Sequence, residues 1–72
     1  MTQKNTPLPD YTTKRKRRAE VARIIGQLEL IKAGEERYRD NMPENLQNSA
    51  AYEQAEEFIE YLDEALGTLA LI

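Results

Sequence analysis

The sequence predicts an all-α fold, a two-helix antiparallel hairpin. Three observations carry that expectation. Apolar residues recur at alternating steps of three and four along two stretches, the signature of a buried helix stripe. A Pro- and Asn-containing segment, NMPENLQNS, separates those stretches. No proline falls inside either one.

Residues 1–12 are polar and hold Pro7 and Pro9. Proline removes backbone donors and biases its predecessor toward extended conformations, so this segment reads as a flexible, disordered tail. Thr12 or Thr13 is placed to cap the helix that follows.

The first helix is expected from about residue 13 to 40. Its apolar stripe is Val21, Ile24, Leu28, Ile31, Tyr38 and Met42, interrupted by Glu35. Gly26 and Gly34 lower its helix propensity. They sit either on the solvent side or, with Ala19, Ala22 and Ala33, on a face of close helix approach.

Pro43 ends this helix, and Asn45 and Asn48 suit turns. The loop spans about 41–48, with Leu46 expected to tuck beneath it. The second helix, about 49–70, is capped by Asn48 or Ser49. Tyr52, Ala55, Ile59, Leu62, Leu66 and Leu69 form an unbroken coiled-coil-like heptad seam. Ala51, Phe58, Ala65 and Ile72 flank it every seventh residue. Pairing 41 with 49 makes facing positions sum to about 90, which leaves residues 14–18 at the open end of the hairpin and beyond it.

A chain of 72 residues rarely buries enough apolar surface to stand alone. Without Cys no disulfide can staple it, and without His or Cys a zinc site is not expected. Ile25, Leu30, Phe58 and Tyr61 lie off the main seams and together mark a protein interface. The expected remedy is a homodimer forming a four-helix bundle, or a face reserved for another protein.

The charges divide into two poles. Residues 1–23 carry seven cations and two anions, and residues 24–72 carry three cations and eleven anions. Such a split suits a molecule that finds a partner, or its own copy, by charge. Lys14, Arg15, Lys16, Arg17 and Arg18 are consecutive, with Arg23 nearby. On a helix they spread around the rod, which suits contact with phosphates more than base readout. They also fit an acidic partner surface, a nuclear-localisation pattern in a eukaryotic setting, or simply a solvated helix start. Cations at a helix N-terminus oppose the macrodipole, so this turn is expected to fray until an anion binds.

The second helix is acidic. Glu53, Glu56, Glu57, Glu60, Asp63 and Glu64 share it, and no Lys or Arg follows Asp40. Like charges at i, i+4 repel by a few tenths of a kcal/mol each. One reading is a solvated face that resists aggregation. The other is an acidic surface that imitates nucleic acid and docks on a basic enzyme.

Enzyme chemistry is not expected, since His, Cys and a glycine-rich phosphate loop are missing. Carboxylates alone match neither the Glu-x-x-His di-iron pattern nor a calcium loop, so no metal or cofactor is expected. No apolar run approaches a membrane span, and the N-terminal residues lack a secretory core. The expectation is a cytoplasmic protein without membrane contact.

The stretch PENLQNSAAYEQAEEFIEYLDEAL, Pro43 to Leu66, resembles a pattern in small uncharacterised helical proteins of bacteriophages and bacterial mobile elements. The shared features are the Pro-Glu-Asn-Leu-Gln turn, the Ser-capped start, a Tyr-Glu pair and an acidic amphipathic helix. The resemblance covers the loop and second helix, about a third of the chain. It implies a helical hairpin of phage or mobile-element origin and carries no active residues; the basic segment lies outside it. Three roles follow as expectations: a non-enzymatic binding protein, an inhibitor of a host nucleic-acid-binding enzyme, or a phage structural or assembly component.

Overall fold

A computed structural model describes residues 11–72. The expected flexible tail lies outside the described residues, apart from Tyr11 and Thr12. Helix α1 spans Lys14–Asp40, a 3-10 turn spans Glu44–Leu46, and helix α2 spans Ala50–Leu69. The two helices pack against each other as a hairpin. Among the described residues there is no strand.

Side chains cap both helix starts. Thr13 Oγ1 accepts from the Lys16 N–H at 3.1 Å, and Ser49 Oγ accepts from the Tyr52 N–H at 3.2 Å. Each satisfies one of the amide donors that a helix start leaves unpaired. The basic first turn, expected to fray, is helical from Lys14. Besides the cap, the Arg17 guanidinium donates to the Tyr11 carbonyl at 2.7 Å, tying the turn to the preceding strand of chain.

α1 gives way at Asn41, two residues before Pro43. Pro43 then opens the 3-10 turn, whose amides bond back to the Pro43 and Glu44 carbonyls. Leu46 was expected to plug the loop but remains exposed. A turn this short lies across the end of the hairpin rather than over a core.

The seam of α2 faces α1 as its spacing predicts. Ala55, Ile59 and Leu62 are buried, and Tyr52, Leu66 and Leu69 are half-buried. These three buried side chains are the whole core of the described residues.

α1 departs from expectation. Ile24, Ile31 and Tyr38, assigned to its core stripe, are 41%, 50% and 52% exposed. Val21, Ile25, Leu28, Lys32 and Arg39 are among its half-buried residues, with Met42 just past its end. Ile25, Lys32 and Arg39 are seven residues apart and share a face. Each follows one of the exposed residues, so the two stripes lie about 100° apart around the helix. Charge selects between them. Lys32 Nζ lies 2.6 Å from Asp63 Oδ1, and Arg39 Nη1 lies 3.7 Å from Glu56 Oε2, both across to α2. Ile25 was assigned to an outward interface; it is half-buried, on the same face of α1 as Lys32 and Arg39.

The ion-paired positions, 32 with 63 and 39 with 56, sum to 95 rather than 90. Helical side chains lean toward their own N-terminus by about one position. In an antiparallel pair both leans raise the sum, which accounts for part of the offset.

The close-approach reading of the glycines is also overturned. A Cβ at Gly26, Gly34 or Gly67 would meet nothing within 4 Å. Ala19 and Ala22 are exposed. Gly26 and Ala33 are half-buried, but no close helix approach is made at Gly26 or Gly34.

Candidate nucleic-acid and protein interfaces

Lys14, Arg15, Lys16, Arg17, Arg18 and Arg23 are all exposed on the first turns of α1. Their distribution is uneven. Lys14, Arg17, Arg18 and Val21 follow i, i+3, i+4, i+7 spacing and form one stripe. Together with Leu71 and Ile72 they line an open depression just past the last turn of α2. The stripe therefore continues the inner face of α1 beyond the point where α2 stops covering it. Arg15 and Lys16 border a separate depression with Thr13 and Ala19.

Arg23 does not belong to this cluster. Its Nε and Nη2 both lie 2.9 Å from Glu20 Oε1, one turn back on the same helix. A guanidinium held by a carboxylate offers less to a phosphate.

The acidic residues of α2 are exposed as well. Glu53, Glu56, Glu57, Glu60 and Asp63 border one shallow surface with Ile59 at its floor. Glu64 is exposed but does not border it. Two cations of α1 temper this surface. Lys32 bonds Asp63 and approaches Glu36 at 3.8 Å. The Asp63 hydrogen bond is the main reason that Lys32 titrates above its ordinary value, with partial burial opposing it. Arg39 bonds Asp40 at 3.0 Å and reaches Glu56, and it too is shifted upward, chiefly by the Asp40 hydrogen bond.

The apolar residues assigned to a protein interface separate. Leu30 is 75% exposed, about 170° from the centre of its helix's packed face, and Tyr61 is exposed, about 130° from the centre of its own. Phe58 is 42% exposed, one residue before buried Ile59. Sequence reasoning missed Ile24, Ile31 and Tyr38 as surface residues. The available signal was that Lys32 and Arg39 immediately follow Ile31 and Tyr38, and that a cation seeks the acidic flank of α2.

Among the described residues, no polar side-chain atom is left buried without a partner. Among the described residues, no cluster of three or more His, Cys, Asp and Glu is placed to hold a metal. No described helix is long and apolar enough to cross a membrane. The chain matches no family model, no curated protein and no solved structure.

Proposed function

We propose that this is a small non-enzymatic binding protein that self-associates through its helical hairpin and contacts nucleic-acid phosphates through Lys14, Arg17 and Arg18. The observation that carries the reading is the placement of those cations. They form one exposed stripe on a capped helix that runs past the end of its partner helix. Cations on a rigid rod meet phosphates without first ordering a chain, and the positive end of the helix dipole adds to their attraction for anions. Arg15 and Lys16, turned away from the stripe on the same turns of α1, add to the positive field. No stacking set of aromatic side chains accompanies it, so the contact is with backbone rather than bases. Self-association is supported by the small core, since three buried side chains fall short of what a chain of this size needs. An origin in a bacteriophage or mobile element accords with the loop and α2 resemblance.

The test is a titration of labelled single- and double-stranded DNA at low and moderate salt. The full chain is compared with a chain starting at Ala19. Salt-sensitive binding that disappears on truncation supports the reading; the same affinity for both chains, or none for either, overturns it.

A second reading rests on the acidic surface bordered by Glu53, Glu56, Glu57, Glu60 and Asp63. It would dock on the basic cleft of a nucleic-acid-binding enzyme and inhibit it. Charge reversal at Glu56, Glu57 and Glu60 should then abolish retention of that enzyme on a column. Neutral behaviour of the reversed protein sinks this alternative.

A further inference from the structure

The cross-helix ion pairs divide the hairpin into two unlike faces. Lys32–Asp63 and Arg39–Glu56 lie on one of them. On α1, Ile24, Ile31 and Tyr38 precede Ile25, Lys32 and Arg39 and lie about 100° from them, on the other side of Leu28. On α2, Asp63 and Glu56 follow the buried Leu62 and Ala55, whereas Ala51, Phe58 and Ala65 precede Tyr52, Ile59 and Leu66. Antiparallel right-handed helices wind in opposite senses when viewed from one end. The residues on the side away from the ion pairs therefore meet on a single face. That face is Ile24, Ile31 and Tyr38 from α1 beside Ala51, Phe58 and Ala65 from α2. All six are exposed and uncharged, and the half-buried Glu35, which interrupts the α1 stripe between Ile31 and Tyr38, borders them.

The two ends of the hairpin differ as sharply. At the open end, residues 11–23 with 65–72 carry six cations and one anion, Glu20, a net charge of +5. At the loop end, residues 35–57 carry two cations and seven anions, a net charge of −5. The middle of the hairpin, 24–34 with 58–64, carries one cation and four anions.

We propose that the face formed by Ile24, Ile31, Tyr38, Ala51, Phe58 and Ala65 is closed by a second copy of this chain lying antiparallel, so that each basic open end rests beside the partner's acidic loop end. The inference rests on the self-association in the proposed function and adds to it the surface and the orientation. The seven-residue spacing on both helices is that of a four-helix bundle seam, so the face is complementary to itself. A two-fold axis is the arrangement in which one patch covers its own copy. Orientation follows from charge. A parallel pair would bring two ends of +5 together and two of −5 together, within a Debye length of about 8 Å across the bundle. The antiparallel pair brings each +5 beside a −5.

The dimer then carries its two Lys14–Arg17–Arg18 stripes at opposite ends. Both can engage one nucleic acid only if it spans the dimer, which makes binding bivalent on long strands and monovalent on short ones.

The absence of Cys makes a direct distance test clean. Ala19→Cys at the open end and Gln47→Cys at the loop end are both exposed positions that touch no part of the face. Each is spin-labelled in the full chain, and pulsed dipolar distances are read at tens of micromolar. The two-fold axis passes near Ile31, twelve residues from Ala19. At 1.5 Å per residue, two Ala19 labels stand about 36 Å apart along the bundle, before the width of the helices is added. Labels at Gln47 give a similarly long distance. Mixed dimers, one copy labelled at each site, give a short distance of about 25 Å or less. The reverse pattern, short for like labels and long for mixed ones, overturns the orientation while leaving self-association intact. No dipolar signal together with a folded monomer's mass overturns both.

Discussion

Replacing Lys14, Arg17 and Arg18 together by Gln tests the phosphate-contacting stripe most directly. Gln is nearly as good a helix former as Lys and Arg, so α1 should survive the change, which far-UV circular dichroism checks. The magnitude follows from the spacing. Three cations on one stripe face the same strand of phosphates at once, while Arg15 and Lys16 point away from it. Each duplex phosphate neutralised contributes about −0.9 to the slope of log K against log salt, so three contribute about −2.7. Raising salt from about 50 to about 200 mM should then weaken the native protein about 40-fold. The triple variant should lose most of that slope. Arg23→Gln should leave the slope unchanged, because Glu20 already occupies that guanidinium. The assay is fluorescence anisotropy of a labelled duplex over a salt series. A triple variant that keeps the native slope, or an Arg23→Gln variant that loses as much, would refute the reasoning.

Four further outcomes are expected. Ile59→Ala should destabilise the hairpin by about 2–5 kcal/mol, enough to abolish cooperative thermal unfolding in so small a core; a native melting curve would contradict it. Gly34→Ala should raise stability by about 0.5–1 kcal/mol, since the added Cβ meets nothing, and calorimetry should register a higher Tm. Ser49→Ala should cost about 1 kcal/mol through loss of the bond to the Tyr52 amide, read by urea denaturation. The folded-state pKa of Lys32 is raised by Asp63, so its contribution is complete below the ordinary lysine value of about 10.4 and is lost as pH rises through the higher folded value. Native protein should therefore lose more stability than Lys32→Gln in strong alkali, and equal losses would argue against the bond.

The legibility of this chain differs between its helices for a physical reason. In α2 the seam runs unbroken from Tyr52 to Leu69 with carboxylates on one flank, so spacing alone identifies the packed side. In α1 two stripes compete, Ile24 and Ile31 on one side of Leu28 and Val21 and Ile25 on the other. The choice between two adjacent stripes fell to Lys32 and Arg39, whose partners lie 31 and 17 positions away in sequence. Periodicity contains no term for such a pairing, so Ile24, Ile31 and Tyr38 were placed inside when they lie outside. The same limit explains Leu46, since a turn's cover depends on what lies beneath it. The basic run was visible at once as composition. Its division into a usable stripe and a neutralised Arg23 required the helix to be capped at Thr13 and Glu20 to lie one turn away.

The contact between α1 and α2 is closed by one short connection, 41–49, and the helices pack on each other across it. Closing so short a loop takes about 10–100 ns, and helices elongate within nanoseconds per residue. A fold built from such near-neighbour contacts forms on the microsecond-to-millisecond scale. With a shallow core to resist opening, the hairpin also comes apart quickly. In the proposed dimer its lifetime as a closed unit would be set less by its own barrier than by the second copy, and proteolysis would then report occupancy of the pair rather than the stability of a single chain.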